Sequence, residues 1–370
     1  MDYEQEFLEY VNRIYKWEIF DENNSKYSSE ENSFIISINK LIPALIEKMC
    51  VARRISIDIH SFCIQEDKVN AFCFSFNKRY YIGINSATYI EILRLTDVFA
   101  NYLTSDKKWS GLFNLDCKKL QAKLWVNAIR FVIAHEYMHI VLGHCNTLCK
   151  EQQFLWEISN DDKIEFEGSF NNIEIQSIEL LADIFAAKDA ASQILFTSNE
   201  IEDIKCQLLI YYLATLLVFS VFEKYRIKDI YHPSLGIRLY AIMNTVDDTF
   251  MNLLNVPDSE SELEEIDTII DDFLNIINQF PDFLSIDIVS DMLNDGFDKG
   301  FFELYNIASD TVKITNKKAD FPIDEFGKMD DTVIDIINNE RQILADAVEE
   351  NRSYQEACEK IRQEKNKFKE

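Results

Sequence analysis

The stretch FVIAHEYMHIVLGH, residues 131–144, holds three of the chain's five histidines. Around them nearly every residue is apolar, and the preceding fifteen residues, LQAKLWVNAIRFVIA (120–134), read as a long apolar helix that runs into it. A buried helix has little reason to carry two histidines and a glutamate unless all three are satisfied together. His135 and His139 are four residues apart, which on a helix places both imidazoles on one face, one turn from each other, where both can reach one ion. Glu136 lies about 100 degrees further round the axis, beside the same site without ligating. Gly143 then offers a helix C-cap.

The spacing predicts a metal centre, with zinc, one per chain, as the cofactor. Zinc held by two imidazoles keeps room for a carboxylate and a water, and it lowers that water's pKa to roughly 7. Glu136 is placed to accept the water's proton as general base and to pass it to a leaving amine. A third protein ligand comes from the helical stretch SIELLADIFAAKDAA (177–191), where Glu179 and Asp183 share a face at a spacing of four. Glu179 reads as the ligand and Asp183 as the acceptor for the distal N–H of a ligating histidine. On spacing alone Glu174 competes for the ligand role, and an exposed pair of acids is the plainer reading in so acidic a chain.

The rest of the chain bounds what surrounds this centre. With 370 residues it can bury a large core, and 47% hydrophobic content is globular. Glycine (8) and proline (5) are scarce, which predicts few tight turns and long helices. A net charge of −27 sets aside nucleic acid as a partner and makes a membrane partner unfavourable. The eight cysteines show no framework spacing, and the first twenty residues show no basic region followed by an apolar core. Reduced thiols and a cytoplasmic location are expected. LLIYYLATLLVFSVF (208–222) is fifteen residues long, short for a bilayer span, and reads as a buried core helix.

Between residues 55 and 85 the apolar period changes from helical to alternating. ISIDIHSFCI, VNAFCFSF and RYYIGIN predict three strands of a small antiparallel sheet (about 54–84), with Asn77–Arg79 as a turn. The fold class is α+β, mostly α-helical, with this sheet beside the HExxH helix. Active-site helices are expected over about 118–144 and 175–198, in a metallopeptidase domain spanning 1–250. Residues 251–350 contain 25 acidic and 6 basic residues, a net of −19, yet keep apolar periodicity. Residues 251–370 therefore read as an acidic helical C-terminal region that is a candidate surface for a protein partner or regulator.

These motifs together resemble a known family. HEYMHIVLGH followed by ELLAD is similar to the gluzincin metallopeptidases, in which the two histidines of HExxH and a glutamate of an ExxxD helix bind zinc. YHPSLGIRL, with His232, Pro233 and Arg238, resembles the HPxxxxR element of the HtpX and CAAX-prenyl-protease family. There the matching histidine and arginine stabilise the oxyanion intermediate. Asn70, Ala71 and Phe72 are similar to that family's NAFA strand, which borders the cleft and which substrate extends as a further strand. The four elements occur in the family's order over residues 68–240. The resemblance implies a gluzincin-like core, Glu179 as third ligand, His232 and Arg238 in catalysis, and a polypeptide substrate. The chain departs from the family in Met138, where glycine is usual, in NAFC for NAFA, and in lacking clear spanning helices. It is also similar in size to the phage-exclusion peptidase Lit, which cleaves a host translation factor, though no Lit-specific motif carries that likeness.

Read without the family, His232 before a proline is an ordinary capping or core histidine, and Arg238 serves equally as a structural lock on Glu179 or Asp183. His144 lies five residues after His139, about 500 degrees round a continuous helix and off the zinc face. A second metal at His144, Cys145 and Cys149 is the alternative to buried thiols, and His60 needs no role. The function expected is a soluble zinc-dependent endopeptidase. The alternatives are a catalytically silent or latent metal-containing regulatory protein and, as biology, a bacterial defence or toxin-type protease acting on one host protein.

Overall fold

The computed structural model describes residues 3–14, 17–53, 55–145, 172–198, 201–225, 232–254, 260–278 and 307. Two helices come first, α1 (Tyr3–Ile14) and α2 (Ser29–Ala52). Ser28 caps α2: its hydroxyl accepts from the Glu31 N–H and the Glu31 carboxylate accepts from the Ser28 N–H, so two otherwise orphaned donors are satisfied. Three strands follow, β1 (Ile59–Ile64), β2 (Ala71–Phe76) and β3 (Arg79–Asn85). The remainder is helical: α3 (Ser86–Ser105), α4 (Lys107–Phe113), α5 (Cys117–Val141), α6 (Asn172–Thr197), α7 (Ile201–Tyr225), α8 (Leu235–Leu254) and α9 (Glu260–Asn278). The class is α+β, mostly α.

The sheet is mixed and not antiparallel throughout. Its order is β1-β3-β2, with β2 and β3 antiparallel and β1 parallel to β3. The β2–β3 hairpin turns at Asn77 and Lys78, both in the left-handed region (φ 51° and 65°), as a tight two-residue hairpin requires. Its third strand, β3, occupies the place beside β1, so β1 and β2 point in opposite directions without touching. Alternation along a strand reports which face is buried; it does not report which neighbour the strand takes.

Along β2 the two faces serve different layers. Ala71 and Cys73 join the main core beside α5, whereas Phe72 and Phe74 join a smaller cluster with Phe7 and Val11 of α1. Gly83 sits opposite Phe72 in the ladder, and a Cβ at Gly83 would lie 2.3 Å from the Phe72 ring. Gly83→Ala is therefore expected to destabilise the fold by about 1–3 kcal/mol through overpacking. Urea denaturation measures it, and a variant as stable as wild type would show that the ring has room to move.

Helix α5 is the centre of the molecule. Asp116 caps its N-terminus by accepting from the Lys119 N–H at 2.9 Å. It packs against α3, α6, α7 and the sheet. From Phe131 to Val141 its apolar residues are all buried, so it has no solvent face to spend polar residues on. Helix α7 is long and apolar enough to cross a bilayer, yet 78% of its most apolar window is buried inside the fold, against α5 and α3. Helix α9 packs on α7 and adds Ile269, Phe273, Ile276 and Ile277 to the main core. The first described helix of the acidic region thus shares the core of the preceding helices. The rest of the acidic helical region expected over 251–370, from 279 on and apart from Ile307, lies outside the described residues.

Candidate metal centre

Helix α5 ends where Gly143 takes φ 74°, with its N–H donating to the Ile140 carbonyl at 3.1 Å. Two turns earlier His135 and His139 face one way, their Nε2 atoms 3.1 Å apart. Helix α6 crosses at that point and brings in Glu179. Its Oε1 lies 3.1 Å from His139 Nε2 and its Oε2 lies 3.2 Å from His135 Nε2. Glu179 is fully buried, and neither carboxylate oxygen has a hydrogen-bond partner among the described residues. An anion in that position without hydrogen bonds is expensive unless it faces a cation. His135, His139 and Glu179 each offer a ligand atom, all within 4.8 Å of one another, so this buried group can hold a metal ion. Glu174, the competitor on spacing, stands five residues before Glu179 on the same helix, more than a third of a turn away from the cluster.

His135 has an outer partner of its own. His135 Nδ1 lies 2.9 Å from Asp183 Oδ1. Asp183 is fully buried and accepts twice from Arg238, from Nε at 2.6 Å and from a terminal nitrogen at 2.8 Å. The sequence leaves Arg238 either an oxyanion or a locking role; in the structure its fork is engaged with Asp183, and its guanidinium lies 4.2 Å from the Phe219 ring centre. Burial opposes the charge on Asp183, but Arg238 outweighs it and holds the carboxyl below its ordinary value. Removing one partner of such a pair strands a buried charge. Arg238→Met is accordingly expected to cost about 3–5 kcal/mol in the metal-free protein, measured by chemical denaturation; a loss below 1 kcal/mol would mean Asp183 is satisfied elsewhere.

Each charge at the centre is held by its neighbours. Burial works against a charged His135, yet Asp183 and Glu179 push its pKa up to about 10. Burial likewise opposes ionised Glu179, and His232, His139 and His135 together hold it well below the usual carboxylate range. Glu136, beside the cluster, is 5% exposed, and burial raises its pKa against the pull of His135 and His139. Its Oε2 has no hydrogen-bond partner among the described residues.

His232 completes the rim: its Nε2 lies 3.1 Å from Glu179 Oε2. It stands just before α8, whose N-terminal turn carries Arg238, so one short segment delivers both side chains. A cleft of about 430 Å³ opens beside them. Its polar lining is His135, Glu136, Glu179, His232 and Arg238, and its apolar wall is Phe131 and Val132 of α5 with Val218, Phe219 and Phe222 of α7. That wall has no motif of its own, and the apolar run 208–222 identifies it only as core.

The strand residues divide. Ala71 lines the cleft, Phe72 points to the opposite face of the sheet, and Asn70 is buried with its backbone held by Thr88. Among the described residues β2 has a strand neighbour on one side only. Cys73, the next residue facing α5, has its thiol 3.5 Å from that of Cys145, and burial pushes it well above its ordinary pKa. These are buried thiols. Cys149, required for a second metal with His144 and Cys145, lies outside the described residues.

His144 differs from its sequence reading. The left-handed Gly143 breaks the helix, so the 500-degree offset does not apply, and His144 Nδ1 comes to 2.9 Å from His139 Nδ1. His144 is fully buried. Burial, and then the neighbouring His139, hold its pKa well below the usual value.

Residues 114–253 match the family model described as Peptidase U49. The match supports a peptidase. It covers His135, Glu136, His139, Glu179, Asp183, His232 and Arg238, and leaves the strand residues 70–72 outside. A peptidase implies a polypeptide substrate. Comparison with curated proteins and with solved structures gives no match.

Proposed function

We infer that the chain is a zinc-dependent endopeptidase whose metal is held by His135, His139 and Glu179. The observation that carries this reading is the buried Glu179 carboxylate, set between the Nε2 atoms of His135 and His139 with no hydrogen bond to either oxygen among the described residues. Two imidazole nitrogens and one carboxylate oxygen, with a cleft on the open side, form the donor set of a catalytic zinc site. When bound, the cation supplies Lewis acidity, lowering the pKa of a water to roughly 7 and polarising the scissile carbonyl.

The chain's own groups do the rest. Glu136 takes the proton as the water oxygen bonds to the carbonyl carbon, and delivers it to the amine nitrogen as the C–N bond breaks. His232, on the cleft rim, donates to the oxygen that gains charge. Arg238 adds positive charge on the same side while it clamps Asp183, which in turn orients His135. The edge of β2 at Ala71, which has no further strand among the described residues, is placed to pair with an extended peptide, and the Phe131, Val218 and Phe222 wall suits an apolar side chain of that peptide.

The test is cleavage of a denatured protein mixture by the full chain. Cleavage that stops with a chelator and returns with zinc is the expected result. Cleavage indifferent to the chelator would overturn the metal role. Silence under every condition would favour a regulatory protein that retains the metal centre as structure.

A further inference from the structure

The two imidazoles of the candidate centre have unlike partners. His135 Nδ1 meets a carboxylate, Asp183, that Arg238 clamps. His139 Nδ1 meets another imidazole, His144, at 2.9 Å. The geometry points to His144 as the positioning residue of His139: a neutral imidazole whose Nδ1 lone pair accepts the His139 Nδ1–H and so fixes which nitrogen of His139 faces the metal. This inference rests on the metal reading above.

The tautomers follow one from another. His139 Nε2 faces Glu179 and His135, so a metal held there needs the Nε2 lone pair. The His139 proton then resides on Nδ1 and points at His144. His144 Nδ1 must accept it, which places the single His144 proton on Nε2. His144 Nε2 is buried and makes no hydrogen bond among the described residues. Among the described residues the one polar contact of the ring is therefore the one with His139. The backbone supports the same purpose: Gly143 at φ 74° turns the chain back so that the side chain five residues on returns to His139. A Cβ-bearing residue adopts that conformation only under strain.

Outer partners of metal-ligating histidines typically govern metal affinity by 10–100-fold. The experiment is zinc affinity of the full-length protein by chelator competition, for wild type, His144→Leu and His144→Asn. Leucine fills the space without an acceptor; the asparagine Oδ1 takes the place of Nδ1. The expected result is a loss of about 10–100-fold in the leucine variant and recovery of most of it in the asparagine variant. Leucine and wild type binding equally tightly would overturn the proposal, as would equal losses in both variants, which mark a packing role. Should the leucine variant fail to fold, the decision rests on histidine-labelled, zinc-loaded wild type, whose five histidines make tautomer assignment by long-range proton–nitrogen correlation tractable. His144 protonated on Nε2 supports the proposal and protonation on Nδ1 overturns it. A wild type that binds no zinc defeats the metal reading itself and this inference with it. A wild type that binds zinc through His139 but is indifferent to His144 defeats this inference alone.

Discussion

Glu136→Gln is expected to bind zinc as wild type does and to cleave polypeptide roughly 10²–10⁴-fold more slowly, a barrier increase of about 2.7–5.5 kcal/mol. The amide matches the carboxylate in shape and keeps its contacts, but it cannot take up a proton. The site perturbs this carboxyl as a base would need: burial raises the Glu136 pKa, and His135 and His139 pull against that rise. Metal should survive the change, since Glu136 is carried round the axis of α5 away from the two imidazoles it separates in sequence. Turnover of a denatured substrate together with elemental analysis of the purified variant measures both halves. Unchanged cleavage would remove Glu136 from the chemistry, and loss of zinc in the variant would place it among the ligands.

Glu179→Ala is expected to abolish stoichiometric zinc. The carboxylate is the anionic member of the trio, and without it the centre is a set of imidazoles around a buried void, including His232 at 3.1 Å from the lost oxygen. Thermal unfolding with and without zinc reads the effect directly. A ligand that binds only the folded state stabilises it by about 2.7 kcal/mol at a hundredfold excess over Kd, so wild type should shift upward and Glu179→Ala should not. Retention of one equivalent of zinc at wild-type affinity would dissolve the centre as described and, with it, the hydrolytic reading.

These two experiments probe residues of different legibility. The His135, Glu136 and His139 pattern is local: one helix, one period, one face, and any folded α5 presents it. Glu179 is the ligand that the ExxxD resemblance implies, whereas on spacing alone Glu174 competes with it; the crossing of α6 over α5 is what brings the Glu179 carboxylate to the imidazoles. Arg238 likewise had two roles open, and the bidentate pairing with Asp183 is a property of where α8 lands. The cleft wall from Phe131, Val218 and Phe222 combines two helices that are far apart in the chain, so periodicity reports each as core and neither as a wall.

The strand neighbours and His144 were beyond the reach of sequence for related reasons. Alternation predicted three strands in the right places, and the Asn77–Lys78 turn set β2 against β3. The parallel pairing of β1 with β3 depends on how residues 65–70 cross from one edge of the sheet to the other. His144 stays outside the ligand group, as a position off the zinc face implies, but periodicity does not show that it meets His139 Nδ1, because the helix ends before it. Gly143 reads as a cap, but a cap marks where a helix stops; the direction the chain then takes is set by what it packs against.

The amino-acid order alone determined the helix pair that bears the candidate metal group, the spacing of its imidazoles and the burial of the segment around them, because 3.6-residue periodicity and apolar content act over one turn at a time. Only the tertiary structure decided which acid meets those imidazoles, which cation clamps Asp183 and which ring backs His139. Those choices are made by side chains tens of residues apart meeting in a dry interior, where a charge is tolerated only opposite its partner.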